Sequence, residues 1–192
     1  MNQAVFLDRD GVINRLLTEK GPRETPTTSE EFELLPDVIE ALSRLKQAGL
    51  LLVVVTNQPN VAKGKSSLED YQAINRRMDQ LLGEAAKLDG MYACLHHPDP
   101  VQVIRTEYLG PCICRKPQPG LLLQAASDLM IDLDRSWLVG DDETDIQAGR
   151  NAGLMAPRLI KIDKQSNLTE VVSSSLLEAA LHILRRSDEP EQ

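Results

Sequence analysis

Residues 4–12 read AVFLDRDGV, an apolar run that ends directly at two aspartates two positions apart. The apolar part is too short for a helix and is typical of a buried strand, so residues 4–7 are predicted to form the first strand. Gly11 permits a sharp change of backbone direction, which would let Asp8 and Asp10 both face the space beyond that strand. Asp-x-Asp-Gly is also common in ordinary turns, so this stretch gains a functional meaning only from the rest of the chain.

Strand patterns and helix patterns alternate along the whole sequence. Strands are predicted at residues 4–7, 50–55, 91–95, 137–139 and 159–162, and helices at 37–48, 68–85, 121–130, 144–152 and 176–184. A capping box formed by Ser66 and Glu69 is predicted to open the second helix. The alternation implies an α/β fold with a doubly wound, Rossmann-like, mostly parallel sheet that helices cover on both faces. We expect a single domain over residues 1–192, ending in a polar tail at residues 187–192.

The overall charge of the chain is acidic. Lys and Arg total 21 against 29 for Asp and Glu, which gives a net charge of −8 over 192 residues. Nucleic acids select basic surfaces, so a nucleic-acid partner is not expected. No apolar run approaches the roughly 18 residues that a membrane span needs, and the N-terminus lacks the pattern of a signal peptide. We expect a cytoplasmic protein without membrane association and, in the absence of an exposed apolar stripe, a monomer.

A second group of carboxylates follows the predicted strand at residues 137–139. Residues 141–145 read DDETD, and ligands of parallel sheets bind beyond the carboxyl ends of the strands. Asp8, Thr56 and Asp141 all stand at such ends, so we expect them to converge. A helix N-terminus favours one or two acidic residues, but four would repel one another. A hard cation with oxygen ligands would offset this repulsion, and Mg²⁺ suits a site that also binds phosphate.

Three cysteines suggest a second metal site. Cys94, Cys112 and Cys114, together with His96 or His97, offer the three thiolates and one imidazole of a tetrahedral Zn²⁺ site. They bracket an irregular segment that is unusually long for a connection, so residues 94–114 are interpreted as a zinc-bound loop. The alternative is three buried free cysteines.

Four motifs resemble, in order, those of the haloacid dehalogenase-like (HAD) phosphatases. They are FLDRDGV at 6–12, VVVTNQ at 53–58, CRKPQPG at 114–120 and LVGDDETD at 138–145. The resemblance spans about residues 4–165. It implies that Asp8 is the nucleophile that forms an aspartyl-phosphate and that Asp10 is the general acid and then the general base. It further implies that Mg²⁺ is held by Asp8, Asp141 and the backbone carbonyl of Asp10.

The same resemblance assigns the phosphate and substrate contacts. Thr56 and Lys116 would bind the phosphoryl group, and the expected substrate-binding residues are Asn57, Gln58, Arg115 and Asp142. Asp142 and Asp145 would contact metal or substrate, or cap the following helix. The sequence departs from related ones at Pro59 and Asn60, where a Ser-Gly pair is usual, and in the charged loop 15–31, which includes Lys20 and Arg23.

The cysteine-bracketed segment resembles that of one particular group of HAD phosphatases. C-x-H…C-x-C-R-K-P is similar to the D-glycero-D-manno-heptose 1,7-bisphosphate phosphatases, which are related to the histidinol-phosphate phosphatases, and it favours His96 over His97 as the zinc ligand. These enzymes lack a large cap domain, and their zinc is structural. The expected function is Mg²⁺-dependent hydrolysis of the 7-phosphate, with Arg115 recognising a second anionic group. Histidinol phosphate, another small phosphosugar, or a catalytically inactive scaffolding role are the alternatives.

Overall fold

One parallel sheet organises the protein. The computed structural model describes residues 1–17, 24–155, 158–162 and 171–187, and across these residues the sheet has six strands. The strands are β1 (Ala4–Leu7), β2 (Leu51–Asn57), β3 (Gly90–Cys94), β4 (Trp137–Gly140), β5 (Leu159–Ile162) and β6 (Val171–Ser173). They are arranged in the order β3-β2-β1-β4-β5-β6, and every neighbouring pair is parallel. The predicted doubly wound α/β fold is therefore confirmed.

Helices cover both faces of the sheet. They are α1 (Val38–Gln47), α2 (Leu68–Leu82), α3 (Gly120–Asp128), α4 (Glu143–Ala152) and α5 (Leu176–Ser187). Alternate residues of the strands enter two separate apolar clusters, as the two-residue period of a strand requires. Val5 and Leu7 pack with α1, α2 and α5, whereas Phe6 packs with α3 and α4. The result is a three-layer domain whose central strands are buried on both sides.

The centre of the sheet is a continuous apolar surface. Phe6 pairs in register with Val53 of β2 and with Leu138 of β4, and all three side chains are buried. Strands that are buried on both faces need apolar residues at every position, and the valine-rich β2 meets this requirement. The carboxyl ends of β1, β2 and β4 consequently lie side by side at one edge of the sheet.

Two details of the sequence interpretation are wrong. The capping box of α2 is formed by Ser67 and Asp70, not by Ser66 and Glu69: the Ser67 hydroxyl accepts from the Asp70 N–H at 3.0 Å, and Asp70 Oδ2 accepts from the Ser67 N–H at 2.9 Å. The segment SSLED fits the motif in two registers, so the pattern could not choose between them. Strand β6 was missed because three residues give no usable periodicity.

Several expectations fall on other parts of the chain. Lys20, Arg23 and the end of the polar tail, residues 188–192, lie outside the described residues. Among the helices that are described, none combines the length and apolar character that a membrane crossing requires.

Candidate active site

Lys116 lies at the base of a cavity where the ends of β1, β2 and β4 meet. Its Nζ donates to Asp8 Oδ1 at 2.9 Å, to Asp145 Oδ1 at 2.5 Å and to the Val55 carbonyl at 2.8 Å. An ammonium group has three N–H donors, so each donor has an acceptor here. Lys116 is only 3% exposed, so it is not a solvated surface lysine, the most common situation of a lysine side chain.

The charges around Lys116 are out of balance. Burial raises the pKa of Asp8 to about 7, although the neighbouring Lys116 ammonium lowers it; Asp145 and Asp10 raise it further. Burial lowers the pKa of Lys116, but Asp8 and Asp145 outweigh this effect and hold it above its ordinary value. One buried cation thus faces several carboxylates, and an additional positive charge would favour ionised Asp8.

The carboxylates are close enough to share a cation. Ligand oxygens of Asp8, Asp141 and Asp145 all lie within 4.8 Å of one another. Gly11 makes this approach feasible, because its φ is 92° and a Cβ at this position would collide with the Asp141 carboxylate. Oxygen ligands in such a cluster suit Mg²⁺, so the donor set fits the ion that the sequence implies. Besides the predicted Asp8 and Asp141, the cluster includes the carboxylate of Asp145.

Asp145 and Asp142 shape the loop that follows β4. Asp145 Oδ2 accepts from the backbone N–H groups of Asp141 at 3.2 Å and Asp142 at 3.0 Å, while its other oxygen contacts Lys116. Asp142 caps α4, since its Oδ1 accepts from the Thr144 N–H at 2.9 Å, and it also lines the cavity. Both carboxylates therefore have local structural partners, and Asp145 fixes the position of Lys116.

Asp10 lies beside Asp8 at the inner end of the cavity. Its carboxylate accepts from Asn14 Nδ2 at 3.0 Å, from Gln58 Nε2 at 2.5 Å and from the Arg9 guanidinium at 3.1 Å. Asp10 is mostly buried but still reaches the cavity wall. Two candidate catalytic carboxyls from one strand end are thus present in the same cavity.

The last three residues of the second motif, Thr56, Asn57 and Gln58, have different surroundings. The Thr56 hydroxyl is buried and accepts from Gln58 Nε2 at 3.0 Å. Asn57 lines the cavity and holds the backbone of Lys116, with Nδ2 donating to its carbonyl at 3.1 Å and Oδ1 accepting from its N–H at 3.0 Å. Gln58, expected among the substrate contacts, is buried against Asp10 instead of lining this cavity.

The outer part of the cavity is basic. The cavity measures about 710 Å³, and Lys63, Lys65 and Arg115 line it together with the aspartates at its base and with Glu24, whose carboxylate is 3.2 Å from the Lys65 ammonium. Sequence reasoning named Arg115 but missed the two lysines. Their signal is the segment VAKGKSS at 61–67, two residues beyond the second motif, which places both lysines near the end of β2. This basic rim, defined as Lys63, Lys65 and Arg115, gives an acidic protein a second region suited to anions.

The predicted zinc ligands lie together. Sγ of Cys94 is 3.1 Å from that of Cys114 and 3.5 Å from that of Cys112, and His96 Nδ1 is 3.8 Å from Cys94 Sγ. A zinc ion with bonds of about 2.3 Å would set its sulfur ligands roughly 3.7 Å apart, close to these values. His97 is not in the cluster; its Nδ1 accepts from the Asp99 N–H at 3.2 Å.

Burial shields part of this cluster from solvent and raises the pKa of the Cys94 thiol. A metal cation at this position would favour the thiolate form. The cluster is also mechanically connected to the cavity, because Arg115 Nη1 donates to the His96 carbonyl at 3.1 Å and Cys114 directly precedes Arg115. The four side chains thus fit Zn²⁺ and lie where an ion would fix the basic rim.

Comparisons with known proteins agree with this architecture. The HAD-hydrolase-like family model matches residues 113–159. The chain is 38% identical to the D-glycero-beta-D-manno-heptose-1,7-bisphosphate 7-phosphatase of Photorhabdus laumondii, over 91% of this chain and 88% of the relative. It is 40% identical to the enzyme of the same name from Escherichia coli K12, over 84% and 80% of the two chains.

A solved structure of a heptose bisphosphate phosphatase has the same fold. The D,D-heptose 1,7-bisphosphate phosphatase of B. bronchiseptica, determined in complex with magnesium and phosphate, superposes with a TM-score of 0.78 at 26% identity, covering 96% of this chain and 99% of that one. The resemblance seen in the four motifs is therefore confirmed. The chain belongs to the HAD-like phosphatases and, within them, to the family of the heptose bisphosphate phosphatases.

Proposed function

We propose that this enzyme hydrolyses the 7-phosphate of D-glycero-D-manno-heptose 1,7-bisphosphate in the presence of Mg²⁺. One observation carries the proposal: the cavity has cations at two depths, Lys116 beside Asp8 at the base and the basic rim at the outside. A substrate with a phosphate at each end matches this arrangement. Histidinol phosphate has one phosphate and an amine at the other end, which the rim cations would repel.

The first half of the proposed reaction uses both aspartates. An Asp8 carboxylate oxygen attacks phosphorus while the bond from phosphorus to the sugar oxygen breaks. Asp10 gives its proton to that departing oxygen, so the sugar leaves as an alcohol. Lys116, 2.9 Å from Asp8, stabilises negative charge on the phosphoryl group during transfer. Mg²⁺ bound by Asp8, Asp141 and the Asp10 carbonyl would reduce the repulsion between nucleophile and phosphate.

The second half regenerates Asp8. Asp10, now ionised, takes a proton from water as the water oxygen attacks phosphorus. The bond between phosphorus and Asp8 then breaks, and inorganic phosphate leaves. The enzyme returns to its starting state with a proton on Asp10 and a free carboxylate on Asp8.

The remaining assignments concern the second metal and the assembly. We propose that Cys94, His96, Cys112 and Cys114 bind a structural Zn²⁺ that fixes Arg115 and Lys116 at the cavity. Residues 1–192 are proposed to act as one domain on a small phosphorylated metabolite. We propose that the protein acts as a monomer.

A substrate panel tests the proposal. Phosphate release is measured with Mg²⁺ on heptose 1,7-bisphosphate, heptose 7-phosphate and histidinol phosphate. We expect kcat/KM to be at least about 10-fold higher for the bisphosphate than for either monophosphate, because one charge-assisted contact is worth about 1.5 kcal/mol or more. Phosphorus NMR should show the 1-phosphate retained in the product. A higher kcat/KM for histidinol phosphate would contradict the assignment of the substrate.

A further inference from the structure

Arg9 is a fully buried arginine between the two aspartates of the first motif. Its side chain has no exposed surface, and a charge in such a place is costly unless it is paired and hydrogen-bonded. Arg9 Nη2 donates to both carboxylate oxygens of Asp10 at 3.1 Å, and Nε approaches Oδ1 at 3.3 Å. The Arg9 guanidinium therefore directly contacts the one carboxyl that the proposed reaction uses as acid and base.

Gln58 closes this pair into a ring of contacts. Its Oε1 accepts from Arg9 Nη2 at 2.7 Å, and its Nε2 donates to Asp10 Oδ2 at 2.5 Å. The Gln58 amide thus contacts both members of the ion pair and is itself almost completely buried. Gln58 follows β2 and Arg9 follows β1, so the contact joins two neighbouring strand ends.

Asn14 is the third residue that contacts the Asp10 carboxyl. Its Nδ2 donates to Asp10 Oδ1 at 3.0 Å, and its side chain is completely buried. The Asp10 carboxyl consequently has donors on both oxygens from three different residues. Rotation of this carboxyl about its bond to Cβ would break several of these hydrogen bonds at once.

We infer that Arg9, Gln58 and Asn14 are positioning residues that hold the Asp10 carboxyl in its place at the cavity. The inference rests on the proposed function, in which Asp10 serves the departing oxygen and then the attacking water. General acid–base catalysis requires the carboxyl within hydrogen-bond reach of the reacting oxygen, so loss of the network reduces proton transfer without removing Asp8. Gln58 thus acts on catalysis through Asp10 and not through substrate binding.

The dependence of rate on the leaving group tests this inference. Gln58→Met keeps side-chain length and removes both polar atoms. Purified full-length enzyme with Mg²⁺ is mixed with 4-nitrophenyl phosphate and with phenyl phosphate, and phenol release is followed in single turnover. 4-Nitrophenolate departs without a proton, whereas phenolate needs one. We expect release from phenyl phosphate to fall about 100-fold or more and release from 4-nitrophenyl phosphate to stay within about 3-fold, in line with the contribution of a general acid.

Controls separate this inference from the alternatives. Gln72→Met makes the same change at an exposed position of α2 and should leave both rates unchanged. Circular dichroism confirms that the variants are folded. Arg9→Lys keeps the positive charge but loses the forked contact with Asp10, so it should also lower the rate with phenyl phosphate more than the rate with 4-nitrophenyl phosphate. Equal losses for both aryl phosphates, or no loss for either, would overturn the inference. Failure of the proposed function has another signature: Asp8→Asn would still release phenol from both compounds.

Discussion

The base of the cavity and the cysteine-bracketed loop hold their functional residues by different physical means. Asp8 directly follows β1, and the side chains of that strand are completely buried in the sheet. The loop at residues 94–114 contains only a short 3₁₀ turn, Thr106–Tyr108, and exposes Val101 at 92% and Ile113 at 80%. Burial of apolar surface orders the first region. The second has little such surface; backbone hydrogen bonds hold it, such as those from Ile104 and Arg105 to the Ala62 carbonyl at 3.0 and 3.1 Å, and the proposed zinc ligands would add to its order.

The largest expected effect concerns the nucleophile at the base of the cavity. Asp8→Asn removes the attacking oxygen charge but keeps the shape of the side chain, so the sheet should be unaffected. Turnover should fall at least about 1,000-fold, the scale seen when a catalytic nucleophile is removed. Phosphate release reports the loss, and a far-UV circular dichroism spectrum that matches the wild type serves as the control for folding. Wild-type turnover in this variant would show that the reaction does not pass through Asp8.

Core substitutions test the claim that apolar burial orders the sheet region. Met78 is completely buried in the cluster that α2 forms with the sheet, so Met78→Ala should lower the free energy of unfolding by about 2–5 kcal/mol. Ile104 in the loop is 74% exposed, and Ile104→Ala should change the free energy of unfolding by no more than about 0.5 kcal/mol. Urea denaturation measures both. Similar losses at the two positions would mean that the loop shares the core of the sheet.

Metal removal tests the loop directly. Elemental analysis should find about one zinc per chain, and Cys112→Ser should reduce it. Without the ion, Arg115 and Lys116 lose their anchor at Cys114, and we expect kcat/KM to fall about 10- to 100-fold. Limited proteolysis should then cut within residues 96–111 while far-UV circular dichroism keeps the signal of the sheet. An active, protease-resistant protein without zinc would contradict the role given to the cluster.

The same contrast explains what the sequence could predict. Parallel strands buried on both faces leave a strong apolar signal, and their topology forces the ends of β1, β2 and β4 together. The amino-acid pattern alone was therefore enough to predict that Asp8 and Asp141 lie near each other, as they do in the fold. The ordered motifs also named Lys116, although not its contact with Asp145.

What escaped prediction depends on side-chain direction and on loops. Gln58 stands in a recognisable motif, yet only the fold reveals that its amide turns inward to Arg9 and Asp10 and not toward the cavity. Lys63 and Lys65 follow an irregular path after β2, for which sequence periodicity gives no orientation. The capping residue of α2 was misplaced by one position because the local sequence contains the motif twice.

The smallest expected effect lies where the two regions meet, at the basic rim. Burial lowers the pKa of Lys63, and the nearby cations Lys65 and Arg115 lower it further, so an anion bound there would relieve repulsion among them. Lys63→Met should raise KM for the bisphosphate about 10-fold, equivalent to about 1.4 kcal/mol, with kcat nearly unchanged. For heptose 7-phosphate, which lacks the second phosphate, KM should not change. If KM rose equally for both substrates, Lys63 would act on the transferred phosphate, and the rim would not distinguish a bisphosphate from a monophosphate.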